Sequence, residues 1–121
     1  MPPRRRVAVA DGEQALAVWR AAGAEAPRQE LATAVRYLLE ELSVRSPGRS
    51  VEVRVPPYGA VQCIEGPRHT RGTPSNVIET DPQTWLALAT GATTWGDAVG
   101  SGAVRASGGR ADLTAYLPLT D

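Results

Sequence analysis

The chain has 121 residues, and its 13 arginines, with no lysine, balance 13 acidic residues. This length indicates one domain that buries about two thirds of its unfolded surface. Zero net charge disfavours a nucleic-acid-binding role, which needs excess positive charge. Its one cysteine, Cys63, has no second cysteine for an internal disulfide, and with one histidine the chain offers no Cys/His cluster for zinc. A reducing cytoplasm is therefore the expected location, and we expect no cofactor. No apolar stretch approaches membrane-spanning length, so we expect no stable membrane insertion.

The N-terminal third predicts an arm and two helices. Residues 1–10, with two prolines and three arginines, predict a flexible arm ahead of a single domain at residues 11–121. Asp11 is placed to cap a first helix, with Gln14 three residues later. A second helix has the stronger pattern, because apolar residues recur at helical spacing on one side. That stripe comprises Leu31, Val35, Leu38, Leu39 and Leu42.

The middle of the chain predicts a β-hairpin. Val51–Val55 alternates apolar and charged residues, which indicates a half-buried strand with one wet face. The sequence Pro56-Pro57-Tyr58-Gly59 is typical of a turn and leads into a second strand, Ala60–Glu65. Cys63 lies on this second strand, where a thiol usually behaves as a small buried hydrophobe.

A loop rich in glycine and proline follows the hairpin and carries Arg68, His69 and Arg71. Two guanidinium groups and an imidazole so close together are suited to grip a carboxylate or phosphate, since arginine's forked donors match two oxygens. The alternative is a solvated loop whose arginines pair with Glu65 and Glu79.

The C-terminal part predicts a strand, two short helices, a strand and a closing helix. Asp81-Pro82 begins the first of these helices, because aspartate caps free amides and proline suits the first helical position. Gly91 ends it. Thr94 begins the second and Gly102 ends it, and a strand over residues 103–107 follows.

This C-terminal order resembles the sterol carrier protein 2 (SCP2) superfamily, in its short stand-alone bacterial, actinobacterial members. The residues that carry the resemblance are Trp85-Leu86-Ala87-Leu88-Ala89-Thr90-Gly91, Ala98-Val99, Gly102-Ala103-Val104-Arg105-Ala106-Ser107-Gly108 and Ala111-Asp112-Leu113. The resemblance implies an α+β domain whose mostly antiparallel or mixed sheet of about five strands is covered on one face by helices. It also implies an apolar tunnel between the two layers that binds an apolar or amphipathic small molecule, fatty acyl or lipid-like, without catalysis.

Position in the chain and the resemblance together give nine candidate lining residues for the tunnel. They are Val53, Val61 and Val104 on strands and Trp85, Leu88, Trp95, Leu113, Tyr116 and Leu117 on helices. The polar loop, with Arg68, His69 and Arg71, would then meet a headgroup at the tunnel mouth. The simpler alternative is that all nine apolar residues fill the core.

Two other functions stay open at this point. A related domain forms the C-terminal part of mycothiol-dependent maleylpyruvate isomerases, so the chain would be an accessory or substrate-binding domain of an enzyme system. Alternatively, it is an interaction module with a solid core. The sequence leaves an oligomer possible.

Overall fold

A computed structural model describes residues 5–67 and 76–120. These residues form four α-helices and four strands, which confirms the predicted α+β class. In chain order the elements are α1 (Val9–Ala22), α2 (Arg28–Arg45), β1 (Val51–Val55), β2 (Gly59–Cys63), β3 (Val77–Thr80), α3 (Pro82–Ala89), α4 (Trp95–Gly100) and β4 (Val104–Ser107).

The strands form one mixed sheet in the order β2-β1-β3-β4. The predicted hairpin is confirmed: β1 and β2 are antiparallel, with Val53 opposite Val61. β3 runs parallel to β1, and β4 is antiparallel to β3. The described residues contribute four strands to the sheet, where the resemblance implied about five.

The two faces of the sheet differ, as the alternation in β1 predicted. Val51, Val53 and Val55 are fully buried beneath the helices, whereas the side chains between them point to the opposite face. On that open face Arg54 pairs with Glu52, and the neighbouring strands carry a second ion pair, between Arg105 and Glu79. The helices therefore cover one face, and the other is charged and wet.

Helix α2 is the main cover of the buried face. Four of its five predicted stripe residues are buried, and Leu31 is half-buried. Helix α1 packs on α2 at Gly12, where an added Cβ would lie 2.2 Å from Cγ of Tyr37. Trp85 of α3 is also fully buried, and its Nε1 donates to the carbonyl of Val35 at 3.3 Å. Helix α2 thus packs against β2, and α1 and α3 both pack against α2.

The start of α1 differs from the prediction. The helix begins at Val9 after Ala8, which makes no side-chain cap, and Asp11 lies in the first turn. Immediately before it, the amides of Arg6 and Val7 donate to Oε1 of Glu40 at 2.9 and 3.0 Å. A carboxylate of α2, distant in sequence, thus holds the entry to α1, so the helix does not depend on a cap at Asp11.

Strand β2 also ends earlier than predicted, at Cys63 rather than Glu65. Ile64 adopts a positive φ of 67° and donates its amide to the carbonyl of Ser46 at 2.7 Å. This left-handed conformation is costly for a β-branched residue and turns the chain out of the ladder.

The predicted closing helix is wrong: the described C-terminal residues form only a single 3-10 turn, Thr114–Tyr116. Oδ1 of Asp112 accepts the amide of Thr114 at 2.8 Å. The amide of Leu119 donates to the carbonyl of Ala89 at 2.8 Å. Pro118 has no backbone N–H with which to extend a helix. The C-terminal tail is therefore hydrogen-bonded to the end of α3 and does not form a helix.

Candidate functional site

The candidate site lies between α3 and α4, and a side-chain cap fixes where each of these helices begins. Asp81 begins α3 as predicted: its Oδ1 accepts the amide of Thr84 at 2.9 Å and its Oδ2 accepts the hydroxyl of Thr84 at 2.7 Å. Thr94 begins α4, since its Oγ1 accepts the amide of Asp97 at 3.1 Å. Between them, Gly91 has a φ of 81°, which glycine adopts without strain, and it turns the chain from α3 towards α4.

An apolar pocket of about 330 Å³ lies where the end of α3, the start of α4 and the C-terminal tail meet. Three of the nine predicted lining residues, Leu88, Trp95 and Leu117, come together there. Leu88 is only 2% exposed, whereas Trp95 and Leu117 are half-buried. The remaining lining residues are Gly91, Thr93, Thr94, Thr114 and Pro118, so no lining side chain carries a charge.

The other six predicted lining residues lie elsewhere. Four of them, Val53, Trp85, Val104 and Leu113, are buried in the core between sheet and helices, where they contact other core side chains. Val61 and Tyr116 are half-buried and pack against the same core. The structure thus divides the predicted set into an interior group and a group that lines a surface pocket.

Sequence reasoning missed the small and hydroxylated residues of this pocket. The sequence pattern identifies Gly91 and Thr94 only as a helix stop and a helix cap. Only a few residues separate that stop from that cap, and so short a connection places both at one corner of the fold. That spacing was the available signal. No comparable signal pointed to Thr114 or Pro118, which reach the pocket because the tail returns to Ala89.

The predicted polar mouth, Arg68, His69 and Arg71, lies outside the described residues. One of the acidic partners considered for it, Glu79, accepts a hydrogen bond from Arg105 across the open sheet face.

Cys63 is fully buried, and this burial raises the pKa of its thiol to about 12. A thiol with so high a pKa stays protonated near neutral pH and is a poor nucleophile. Within residues 5–67 and 76–120, no three His, Cys, Asp or Glu side chains are grouped so as to hold a metal ion. Among the helices described, none is both long and apolar enough to cross a membrane.

Comparison with known proteins adds one finding. The family model of the bacterial SCP orthologs matches residues 27–119, which include every lining residue of the apolar pocket. No curated protein matches the chain significantly. Because the family model covers most of the chain and the fold is α+β with a mixed sheet, this protein belongs to the bacterial SCP family, within the SCP2-like sterol carrier proteins.

Proposed function

We propose that this domain binds an apolar or amphipathic small molecule, fatty acyl or lipid-like, and carries it in the cytoplasm without breaking or forming bonds. Membership of the SCP family supports a lipid-carrier type of domain. The observation that carries the proposal is the uncharged pocket in which Leu88, Trp95 and Leu117 converge.

The size of the pocket limits what it holds. Its volume is about 330 Å³. Small-molecule sites commonly span roughly 300–1,000 Å³, so this pocket is at the small end of that range. It fits one end of an acyl chain, or a compact ring, with the rest of the ligand outside.

The expected affinity follows from the same geometry. Each buried methylene contributes about 0.8 kcal/mol, so six of them contribute about 5 kcal/mol before the cost of association. Even with no cost of association, a gain of this size corresponds to a dissociation constant of about 0.2 mM, and that cost makes binding weaker still. Such binding suits reversible uptake and release.

The test is a titration with the fluorescent fatty acid cis-parinaric acid. The variant Leu117→Ser removes a pocket wall at a half-buried position, where unfolding is a small risk. The matched control is Val99→Ser, because Val99 lies on α4 but is 42% exposed and does not line the pocket. We expect Leu117→Ser to weaken probe binding about tenfold and Val99→Ser to leave it unchanged, with equal melting temperatures confirming the fold.

Native mass spectrometry of freshly purified protein, followed by organic extraction, provides an independent measurement. Co-purified lipid would support the carrier function. An apo mass with no lipid in the extract, together with no probe binding by the wild type, would reject it in favour of an interaction module with a solid core. Equal weakening by the two serine variants would reject the pocket as the site.

A further inference from the structure

A second concave surface lies between α2 and the turn that joins β1 to β2. It is an open groove of about 540 Å³ and shares no lining residue with the apolar pocket. We name it the arginine groove; its lining residues are Arg28, Gln29, Ala32, Thr33, Arg36, Pro57 and Tyr58.

Helical spacing and one hydrogen bond give the arginine groove its form. Arg28, Ala32 and Arg36 are four residues apart along α2 and so share one face of the helix. Nε of Arg36 donates to the carbonyl of Tyr58 at 2.9 Å, which ties its guanidinium to the opposite wall. Ala32 is buried, and Tyr58 packs against the core. The groove therefore has an apolar base with a guanidinium group on either side along the helix.

The charge of the arginine groove is unbalanced. Two arginines line it and no acidic residue does. Glu40, four residues after Arg36 and its natural partner on the helix, instead accepts the amides of Arg6 and Val7. The ion pairs formed among residues 5–67 and 76–120 involve neither Arg28 nor Arg36.

We propose that the arginine groove is a binding site for a small organic anion, a carboxylate or phosphate carried on a flat apolar body. Arginine's planar fork matches two oxygens of such a group, and the four N–H groups on the terminal nitrogens of Arg36 are not used by its bond to Tyr58. Ala32, Pro57 and the ring of Tyr58 contact the apolar body. This site is separate from the carrier pocket, since the two share no lining residue.

The test compares 2-naphthoate with 2-naphthalenemethanol, which share the ring system and differ in the carboxylate. Binding is followed by the chemical shifts of the backbone amides. We expect 2-naphthoate to bind at least tenfold more tightly, to shift the amides of residues 28–36 and Tyr58, and to weaken in 0.5 M NaCl because the attraction is screened. Parallel titration with 1-naphthyl phosphate distinguishes a phosphate site from a carboxylate site by which anion binds more tightly.

The double variant Arg28→Gln/Arg36→Gln should lose the preference for the anion while keeping weak binding of the alcohol. Arg49→Gln is the matched control, since Arg49 is exposed, lies outside the groove and bonds to Gln62 at 3.2 Å. Equal binding of the two naphthalene probes would overturn the proposal. So would an anion preference that survives in the double variant or is lost in Arg49→Gln, because the anion would then bind elsewhere.

Discussion

Asn76 joins three segments that are far apart in sequence, and its replacement by alanine should destabilise the fold strongly. Its Nδ2 donates to the carbonyl of Ser50 at 2.8 Å, immediately before β1. Its Oδ1 accepts the amide of Arg110 at 2.9 Å, in the turn after β4. Asn76 itself is 4% exposed. One side chain thus connects the start of β1, the start of β3 and the turn that follows β4.

These two hydrogen bonds differ in what their loss costs. Ser50 is 2% exposed, so its carbonyl would lose this donor where water does not easily replace it, at about 1–3 kcal/mol. Arg110 is exposed, so water can reach its amide and the loss is about 0.5–1.5 kcal/mol. Together, Asn76→Ala should lower the free energy of unfolding by about 1.5–4.5 kcal/mol.

Urea unfolding, followed by far-UV circular dichroism, measures this change. With a denaturant slope of about 1.5 kcal/mol/M, the midpoint should fall by about 1–3 M at unchanged slope. Gln62→Ala is the control, because Gln62 is exposed and accepts a single hydrogen bond from Arg49; it should change stability by less than about 0.5 kcal/mol. An Asn76→Ala midpoint within error of this control would refute the reasoning that the buried amide holds these segments together.

Two further predictions concern the cap of α3 and the buried thiol. Asp81→Ala removes both bonds to Thr84 and should cost about 1 kcal/mol in thermal or urea unfolding, and a cost near zero would show that Pro82 and packing suffice to start the helix. For Cys63, burial raises the pKa of the folded thiol to about 12, whereas the unfolded thiol ionises near pH 9. Above pH 9 the unfolded state loses this proton while the folded state keeps it, so stability falls with rising pH, by about 1 kcal/mol at pH 10. Urea midpoints at pH 8 and pH 10 should show this fall in the wild type and lack it in Cys63→Ala, and identical pH dependence in both would contradict the burial argument.

Much of the local structure was predictable because its causes lie within a few residues. The cap at Asp81 and the stop at Gly91 satisfy free backbone groups of α3 through nearby atoms or a nearby change of φ. The alternation in Val51–Val55 likewise fixed which face of β1 is buried, since side chains alternate along any strand.

The candidate site was predictable only in part. Apolar spacing marks a side chain as inward-facing, and it does so equally for a residue that fills the core and one that lines a pocket. Trp85 and Leu88 belong to the same short helix, yet Trp85 lies wholly in the core and Leu88 reaches the pocket. The difference depends on what faces each residue, and for Leu88 that includes Leu117 from the tail.

The closing segment shows the same division. Its apolar residues were recognised, but a helix was expected where the chain makes one 3-10 turn. The bond from Leu119 to the carbonyl of Ala89 competes with helical hydrogen bonding and draws the tail along α3. A partner thirty residues away in sequence leaves no local pattern.

The sequence by itself determined the class of the fold, the places where most helices and strands begin and end, and the buried face of the sheet, because backbone capping and side-chain periodicity act over short distances. Only the tertiary structure decided the strand order, the parallel pairing of β1 with β3, the earlier start of α1 and the convergence of Leu88, Trp95 and Leu117. These depend on contacts between segments that the chain brings together only on folding. The volume left between such segments is a property of their packing and not of any one stretch of residues.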